Sequence, residues 1–318
     1  MRRSLFPFLA VMSLLAAACG GAAAPSAAPS AAATVAATAV PAAPKPDVIV
    51  GSTNFYEQVT LGEIFAQILE ANGYKVTRKF NLGNREIVQP AVQSGQIDIL
   101  AEYEATLVRF LDKNADPTTD KTQAQKVLQG LLDPKGLTAL DPADATDQNG
   151  FAVTKDTATK FNLKKLSDVA AVAGQLVLGG PAECPQRPFC AVGLKDKYGI
   201  VFKDFKALDA GGPLTVAALE GKQIDVALIF TSDPSITAKG FVLLEDDKHL
   251  QLADNIVPVV RKELLAKDTT GGIKDLLNKV SAKLSQAELG DLNKQVSIDK
   301  KDGKDVAAAW LKKQGLIK

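Results

Sequence analysis

Short apolar segments alternate with amphipathic segments between residues 47 and 100, and this alternation limits the possible folds more than any other feature of the chain. The segments that predict β-strands are residues 47–51, 75–80 and 97–100. The apolar face of the first helix between them consists of Leu61, Ile64, Phe65 and Ile68. A second helix is predicted at residues 87–93. Strands that alternate with helices pair in parallel and carry the helices on their faces, so we predict an α/β fold.

The ends of the first helix are also marked in the sequence. Asn54 precedes it and Glu57 follows three residues later, which is the spacing of a capping box. We therefore predict Asn54 as the N-cap residue. Gly73 is predicted to end the helix, because glycine readily adopts the left-handed conformation that follows a helix.

A second unit with the same organisation begins near Asn149. Its predicted strands are residues 151–153, 175–178, 198–205 and 224–229, its predicted helix is 215–219, and residues 273–316 are predicted to be mostly helical. Residues 91–99 resemble residues 217–226, since each segment is a helix end, a glycine and then Ile-Asp followed by an apolar residue. This similarity predicts two related lobes, although junctions between helices and strands often look alike.

Polar and aromatic residues follow the corresponding strand of each unit. They are residues 102–106 in the first unit and 230–233 in the second. Ligands of open parallel sheets bind beyond the carboxyl ends of the strands. We therefore expect both segments to face one shared cleft.

The first 46 residues have the composition of a targeting segment and a tether. Arg2 and Arg3 precede an apolar run at 5–18 that is too short to span a bilayer, and small residues then lead to Cys19. This arrangement resembles a bacterial lipobox, which implies a signal peptide at 1–18 and a lipid on Cys19. An ordinary cleaved signal peptide is the alternative. Residues 19–46 are rich in Ala, Pro and Ser, and they predict a flexible stalk rather than an Ala-rich helix that its prolines would interrupt.

The charge and the cysteines narrow the class of protein further. Without the signal peptide the chain has 35 basic and 36 acidic side chains, so nothing indicates nucleic-acid binding or a basic membrane-binding face. Cys184 and Cys190 remain as an even pair, and an oxidising compartment favours a disulfide between them. Metal binding by the two cysteines is the weaker interpretation, because no further thiol or pair of histidines completes a zinc site. We expect no metal and no cofactor.

Catalysis is not expected. The chain has one histidine, His249, in a polar run that predicts a surface turn. No serine lies in a Gly-x-Ser-x-Gly elbow and no phosphate-binding loop is present. Glu102 and Glu104 are two residues apart and do not make a convincing pair for glycoside hydrolysis. A binding protein is therefore favoured over an enzyme.

An ordered series of motifs resembles the osmoprotectant solute-binding proteins of ATP-driven importers. The series opens with Val50-Gly51-Ser52-Thr53-Asn54-Phe55-Tyr56-Glu57-Gln58. It continues at residues 61–63, 81–83, 94–98, 102–103, 151–155, 231–233, 244–248 and 255–261. The resemblance covers nearly the whole chain after the stalk.

The resemblance implies a type II periplasmic-binding-protein fold, with a ligand cleft between two α/β lobes joined by two crossing strands. The first lobe would comprise residues 47–148 and 255–318, and the second would comprise 149–254. The implied function is that of an extracytoplasmic, lipid-anchored monomer that delivers glycine betaine, choline or carnitine to an ABC permease. A ligand-sensing domain that uses the same cleft, or an importer protein for another small polar solute, is the alternative.

The resemblance also implies a binding site. Tyr103 matches the tyrosine of the family's aromatic cage, Phe230 matches a second aromatic position, and Phe55 lies in the first loop. Asn149 stands where many members carry a tyrosine, so one wall of the cage is missing and a less compact cation or a polar solute is an alternative ligand. The side chains expected to supply hydrogen bonds are Asn54, Gln58, Thr106, Thr231, Ser232 and Asp233. Arg187, between the cysteines, is either a partner for a ligand carboxylate or a solvated side chain.

Overall fold

The computed structural model describes residues 45–115, 118 and 120–318. The predicted signal peptide, the lipidation of Cys19 and all but the last two residues of the predicted stalk lie outside these residues. Among the described residues, no helix has the length and apolar character needed to cross a membrane.

The strands form two mixed sheets of five strands each. The first sheet has the order β2-β1-β3-β10-β4, in which β1 pairs in parallel with β2 and β3, and β10 runs antiparallel to β3 and β4. Its strands are β1 (Val48–Gly51), β2 (Val76–Lys79), β3 (Ile99–Tyr103), β4 (Leu137–Ala139) and β10 (Ile256–Arg261). We call the elements around this sheet the first lobe.

The second sheet repeats the same arrangement. Its order is β7-β6-β8-β5-β9, in which β6 pairs in parallel with β7 and β8, and β5 runs antiparallel to β8 and β9. Its strands are β5 (Asn149–Val153), β6 (Val177–Pro181), β7 (Asp204–Leu208), β8 (Val226–Phe230) and β9 (Val242–Leu243). The elements around it form the second lobe, and the predicted two-lobed α/β fold is confirmed.

Helices cover both faces of the first sheet. The helices of the first lobe are α1 (Tyr56–Ala71), α2 (Arg85–Gln93), α3 (Glu104–Leu111), α4 (Lys121–Leu132), α10 (Lys262–Lys267), α11 (Gly272–Lys283), α12 (Gln286–Ser297) and α13 (Gly303–Lys313). One buried core joins β1 and β3 to α1 and the C-terminal helices, and another joins the opposite face to α2, α3 and α4. The predicted apolar face of α1 lies in the first of these cores.

The second lobe has the same layering with shorter helices. They are α5 (Lys155–Phe161), α6 (Leu166–Val169), α7 (Ala191–Tyr198), α8 (Pro213–Glu220) and α9 (Ser235–Ala238). Its larger core contains the buried pair Cys184 and Cys190, which are joined by a disulfide with a Cα–Cα distance of 5.3 Å.

The two similar sequence segments occupy equivalent positions in the two sheets. The backbone N–H of Asp98 donates to Ile49 O at 2.7 Å, and the Asp98 carboxylate accepts from Ile49 N at 2.9 Å. In the second lobe, Asp225 N donates to Val177 O and the Asp225 carboxylate accepts from Val177 N, both at 2.9 Å. Each aspartate thus hydrogen-bonds the start of one strand to the parallel strand beside it, β3 to β1 in the first lobe and β8 to β6 in the second.

Two antiparallel segments connect the lobes. The segment that leads into β5 and the segment that leads into β10 form an isolated bridge between Thr146 and Asn255. One residue further along, Asp147 N donates to Asp254 O at 3.1 Å. The two connecting segments therefore lie side by side.

One local prediction is wrong and a second is only partly right. The first helix begins at Tyr56 with Phe55 as the N-cap residue and no side-chain cap, so Asn54 does not cap it. The carboxylate of Glu57 is buried in contacts with other elements instead of turning back to the helix end. Only Asp204 and Phe205 of the strand predicted at 198–205 belong to β7. Helix α7 continues to Tyr198, Gly199 ends it with a φ of 71°, and residues 199–203 form neither helix nor strand.

Candidate functional site

A cavity of about 120 Å³ lies between the lobes, which suits a small solute rather than a macromolecule. It is lined by the carboxyl ends of β3, β6 and β8, by the loop after β1 and by both connecting segments. The predicted ligand-binding residues in its lining are Asn54, Phe55, Gln58, Tyr103, Thr106, Asn149 and Phe230. The topology therefore brings together residues that are up to 176 positions apart in the chain, at the edge where strand ends meet.

Three aromatic rings from both lobes form one wall of the cavity. The centroids of Phe55 and Phe230 are 5.0 Å apart, and those of Phe55 and Tyr103 are 6.3 Å apart with the ring planes inclined by 24°. A cation lies within about 6 Å of the centroid of each ring that it contacts. Two rings with a cation between them are therefore further apart than Phe55 is from Phe230 or from Tyr103. The three rings make a continuous wall rather than a closed cage.

The Glu57 carboxylate lies behind this wall and joins the lobes. Its Oε1 accepts from the Tyr103 hydroxyl at 2.5 Å, and its Oε2 accepts from Ser232 Oγ at 2.8 Å. Asn293 Nδ2, from α12, also donates to Oε2 at 2.5 Å. Burial raises the pKa of Glu57 although these three hydrogen bonds oppose the shift. Burial, and secondly the charge of Glu57, raises the pKa of the Tyr103 phenol well above its usual value.

Each connecting segment contains one buried aspartate, whose carboxylate accepts a backbone hydrogen bond from the residues that follow a strand of the other lobe. Asp147 accepts from Ser232 N at 3.1 Å, after β8, and Asp254 accepts from Thr106 N at 3.0 Å, after β3. Burial, and secondly the charge of Glu57, raises the pKa of Asp147 well above its usual value. Burial raises the pKa of Asp254 to about 7. Both aspartates line the cavity.

The cavity also has a basic side. Arg85 Nη2 donates to Glu102 Oε2 at 2.8 Å and to Thr106 Oγ1 at 3.1 Å. Gln89 Nε2 donates to the other oxygen of Glu102 at 2.8 Å. Glu102 is therefore compensated from two sides, and its charge is not available to a ligand.

The loop closed by the disulfide covers this side of the cavity. Asn149 Nδ2 and Gln251 Nε2 both donate to Phe189 O at 3.0 Å, which fixes the loop against the second lobe. Arg187 Nη2 reaches Glu86 Oε2 of α2 at 2.8 Å and so contacts the first lobe. Burial, and secondly the charge of Arg85, lowers the pKa of Arg187. Arg187 Nε is buried without a hydrogen-bond partner among the described residues.

Some predicted site residues lie elsewhere. Thr231 is exposed, and its Oγ1 accepts from Gln148 N at 3.0 Å, while Ser232 is buried against Glu57. Asp233 accepts from Tyr56 OH at 2.8 Å across the lobes. None of the three lines the cavity with the aromatic wall. No group of three or more His, Cys, Asp or Glu side chains in the described part of the chain is arranged as metal ligands.

Sequence reasoning did not identify Glu57, Arg85, Asp147 or Asp254 as parts of the site. Glu57 lies inside the opening motif, where its spacing from Asn54 suggested a cap. The two aspartates have no distinguishing local pattern. Their signal is positional, since Asp147 and Asp254 each stand two residues before the first residue of a connecting strand, β5 or β10.

Comparisons with known proteins agree on one family. Residues 46–313 match the family described as the substrate-binding domain of ABC-type glycine betaine transport systems. The chain is 29% identical over 290 residues to the glycine betaine-binding protein YehZ of Escherichia coli K12, covering 88% of this chain and 94% of that one. It is 29% identical over 273 residues to the carnitine transport binding protein OpuCC of Listeria monocytogenes, covering 85% and 87%. The crystal structure of a glycine betaine/carnitine/choline ABC transporter superposes with a TM-score of 0.66 at 28% identity, covering 85% of this chain and 99% of that one.

Proposed function

The chain belongs to the family of substrate-binding domains of ABC-type glycine betaine transport systems, and we propose from this premise that it captures a zwitterionic quaternary amine. The solute would be a small molecule such as glycine betaine or carnitine, which the protein delivers to an ABC permease. The observation that carries the proposal is the wall of Phe55, Tyr103 and Phe230, to which both lobes contribute.

The aromatic wall suits a quaternary ammonium. Such a group has no N–H to donate and spreads its charge over its methyl groups, so it gains most from ring faces. Phe55 and Tyr103 come from the first lobe and Phe230 from the second. A cation on this wall therefore contacts both lobes at once and stabilises their approach.

The basic side of the cavity supports a carboxylate on the same solute. Arg187 Nε is a buried donor without a partner among the described residues, and the lining of the cavity includes Arg187. A buried guanidinium donor left unpaired is costly, and a carboxylate is its best partner. In a zwitterion the cation contacts the aromatic wall and the carboxylate accepts from Arg187. Choline has no carboxylate and leaves Arg187 Nε without a partner.

We propose that the first lobe comprises residues 47–148 and 255–318 and the second residues 149–254. Support comes from the strands of the two sheets and from the adjacent connecting segments at Thr146 and Asn255. These segments would act as the hinge about which the lobes close.

The role of the family is extracytoplasmic. We propose that residues 1–18 direct export, that Cys19 carries a lipid and that residues 19–46 tether the folded part to the membrane surface as a monomer. The support is in the sequence, where small residues precede Cys19 and no charged residue occurs from 20 to 44.

Titration calorimetry with glycine betaine, carnitine, choline, amino acids and small polyols tests the proposal. We expect saturable binding of the quaternary amines and a loss of at least about tenfold in Phe230→Ala, corresponding to ~1–2 kcal/mol. Phe205→Ala is the matched control, since Phe205 is partly buried in the core of the same lobe but does not line the cavity. The proposal fails if no quaternary amine binds, or if the two variants lose affinity equally.

A further inference from the structure

The segment after β8 contacts the first lobe outside the solute cavity. Ser232 Oγ donates to Glu57 Oε2 of α1 at 2.8 Å, and the next residue, Asp233, accepts from Tyr56 OH at 2.8 Å. Two successive residues of the second lobe thus bind two successive residues of the first lobe. None of the four residues lines the cavity with the aromatic wall, so these contacts join protein groups alone.

A third element of the contact comes from the C-terminal part of the first lobe. Asn293, in α12, is 1% exposed, and its Nδ2 donates to Glu57 Oε2 at 2.5 Å and to Ser232 Oγ at 3.0 Å. The amide presents its NH2 group here, because in the reversed orientation its oxygen would face the Glu57 carboxylate. Glu57, Asn293 and Ser232 therefore form a triangle of hydrogen bonds, and one corner of it belongs to the second lobe.

This triangle can open without leaving the Glu57 carboxylate unpaired. Glu57 Oε1 accepts from Tyr103 OH and Oε2 accepts from Asn293 Nδ2, so two of its three donors belong to its own lobe. When the lobes separate, only the Ser232 hydroxyl is lost, and water can replace it. Exchanging a hydrogen bond within the protein for one to water changes the free energy only modestly. The contact therefore favours the closed arrangement and stays reversible.

The neighbouring pair, Tyr56 and Asp233, has the same property. The Asp233 carboxylate also accepts from Ser235 N at 2.7 Å, so it keeps a donor within the second lobe when Tyr56 leaves. Both residues border a second cavity of about 380 Å³ that lies between the lobes. Water in this cavity can take the place of either partner, so this pair too can separate and form again.

We propose that Ser232, Asp233 and Asn293 form a latch that stabilises the closed arrangement of the lobes without touching the solute. Such a latch raises the affinity for every solute by the same factor, because the apparent affinity depends on the fraction of the protein that is closed. Asn293 is a positioning residue within the latch, since it acts through Glu57 and Ser232. The inference rests on the proposed function, because it concerns how strongly the same cleft retains its solute.

Two serine substitutions in the second lobe test the latch. Ser232→Ala removes the hydroxyl between the lobes but keeps the backbone N–H that donates to Asp147. We expect roughly tenfold weaker binding of glycine betaine, carnitine and choline alike, about the value of one hydrogen bond to a carboxylate. Ser235→Ala is the matched control and is expected to bind as wild type does. Ser235 is also buried, its Oγ has no hydrogen-bond partner among the described residues, and it does not line the solute cavity.

Calorimetry with the three solutes distinguishes a latch from a solute contact. An unchanged affinity in Ser232→Ala overturns the proposal, and so does a loss that differs between the solutes. If the wild-type protein binds no quaternary amine, the proposed function fails, and small-angle scattering of the ligand-free proteins then decides the latch. We expect a larger radius of gyration in Ser232→Ala than in wild type or Ser235→Ala, because the latch joins protein groups and needs no solute. Equal radii in all three proteins contradict it.

A double-mutant cycle tests the part of Asn293. Asn293→Leu removes the amide at similar size, and we expect weaker binding of all three solutes. If Asn293 acts through Ser232, then Ser232→Ala weakens binding less in the Asn293→Leu background than in wild type. A purely structural role lowers the free energy of unfolding but leaves the effect of Ser232→Ala unchanged. Losses of affinity that simply add therefore exclude Asn293 from the latch, and Ser232→Ala alone decides the proposal if Asn293→Leu does not fold.

Discussion

The Tyr103 hydroxyl donates a hydrogen bond of 2.5 Å to Glu57 Oε1, and both side chains are buried. This contact gives Tyr103 two separable roles. Its ring belongs to the aromatic wall, while its hydroxyl helps to satisfy a carboxylate that also binds Ser232 of the other lobe. The hydroxyl is therefore not available as the main contact for a solute.

Substitutions at Tyr103 separate these roles. Tyr103→Ala removes the ring, and we expect a loss of about tenfold or more in affinity for a quaternary amine. Tyr103→Phe keeps the ring but removes one donor to Glu57, so binding stays within a few-fold while the free energy of unfolding falls by about 1–3 kcal/mol. Calorimetry and urea unfolding measure the two effects. If Phe reduces affinity as strongly as Ala, the hydroxyl contacts the solute and this division of roles is wrong.

The stability of the protein is expected to fall as the pH rises from about 4 to about 8. Burial raises the pKa of Asp254 to about 7 and that of Glu104 to about 8, whereas unfolded carboxyl groups titrate near 4. The folded state therefore binds these protons more tightly than the unfolded state does. Above pH 4 the unfolded carboxyl groups lose their protons while the folded ones keep them, so the free energy of unfolding falls until the pH passes the folded-state pKa.

Asp254→Asn tests this dependence. The substituted amide oxygen still accepts from Thr106 but does not titrate, so the decline in unfolding free energy between about pH 4 and pH 7 becomes shallower. Asp144→Asn is the control, since that exposed carboxyl has a lowered pKa and titrates below this interval. Urea unfolding at a series of pH values gives the slopes. Equal slopes in Asp254→Asn and wild type refute the prediction.

Arg187 is expected to distinguish zwitterions from simple cations. Arg187→Met loses a buried charged donor, so we expect roughly tenfold weaker binding of glycine betaine and little change for choline. Glu86→Gln removes the partner of Arg187 across the cleft without removing the guanidinium, and it controls for the ion pair alone. If Arg187→Met weakens the binding of glycine betaine and choline to a similar extent, Arg187 acts through lobe closure and not through the carboxylate of the solute.

The loop between Cys184 and Cys190 is expected to depend on its disulfide. The sequence separation is six residues, and closing so short a loop contributes about 2 kcal/mol in the chain-entropy account. The double substitution Cys184→Ala and Cys190→Ala therefore lowers the free energy of unfolding by about that amount. It also weakens solute binding, because Arg187 and Phe189 of this loop line the cavity. Mass spectrometry of freshly exported protein without reductant must show no alkylatable thiol at either position.

Lipidation at Cys19 is tested by metabolic labelling with a fatty acid. The wild-type protein is expected to incorporate the label and to remain with the membrane fraction. Cys19→Ser removes the thiol that accepts the lipid, so the protein is released without label. Equal labelling of both proteins rules out a lipid at this position.

Local patterns determined much of the fold in advance. The apolar face of α1 and the strands β1 and β2 follow from short-range periodicity, because a helix or strand buries the residues that its own repeat places on one side. The repeated Ile-Asp junction likewise predicted two related lobes, and Asp98 and Asp225 hold equivalent strands. The parallel pairing of β3 with β1 follows from the intervening helix.

Periodicity did not locate β10, which only the family resemblance indicated. Its residues 256–260 form an apolar run with both faces buried, so no alternation marks them as a strand. Their place in the first sheet depends on pairing with β3, whose residues lie more than 150 positions earlier in the chain. Such pairings are decided by the packing of the whole domain.

The amino-acid sequence by itself determined the α/β class, the two related lobes and the aromatic residues at the strand ends. Only the tertiary structure decided what those residues contact. Glu57 suggested a helix cap, yet its partners Ser232 and Asn293 lie 175 and 236 positions away. The Glu57 carboxylate is stabilised by the three donors that converge on it, and donors from such distant segments converge only when the lobes have packed together.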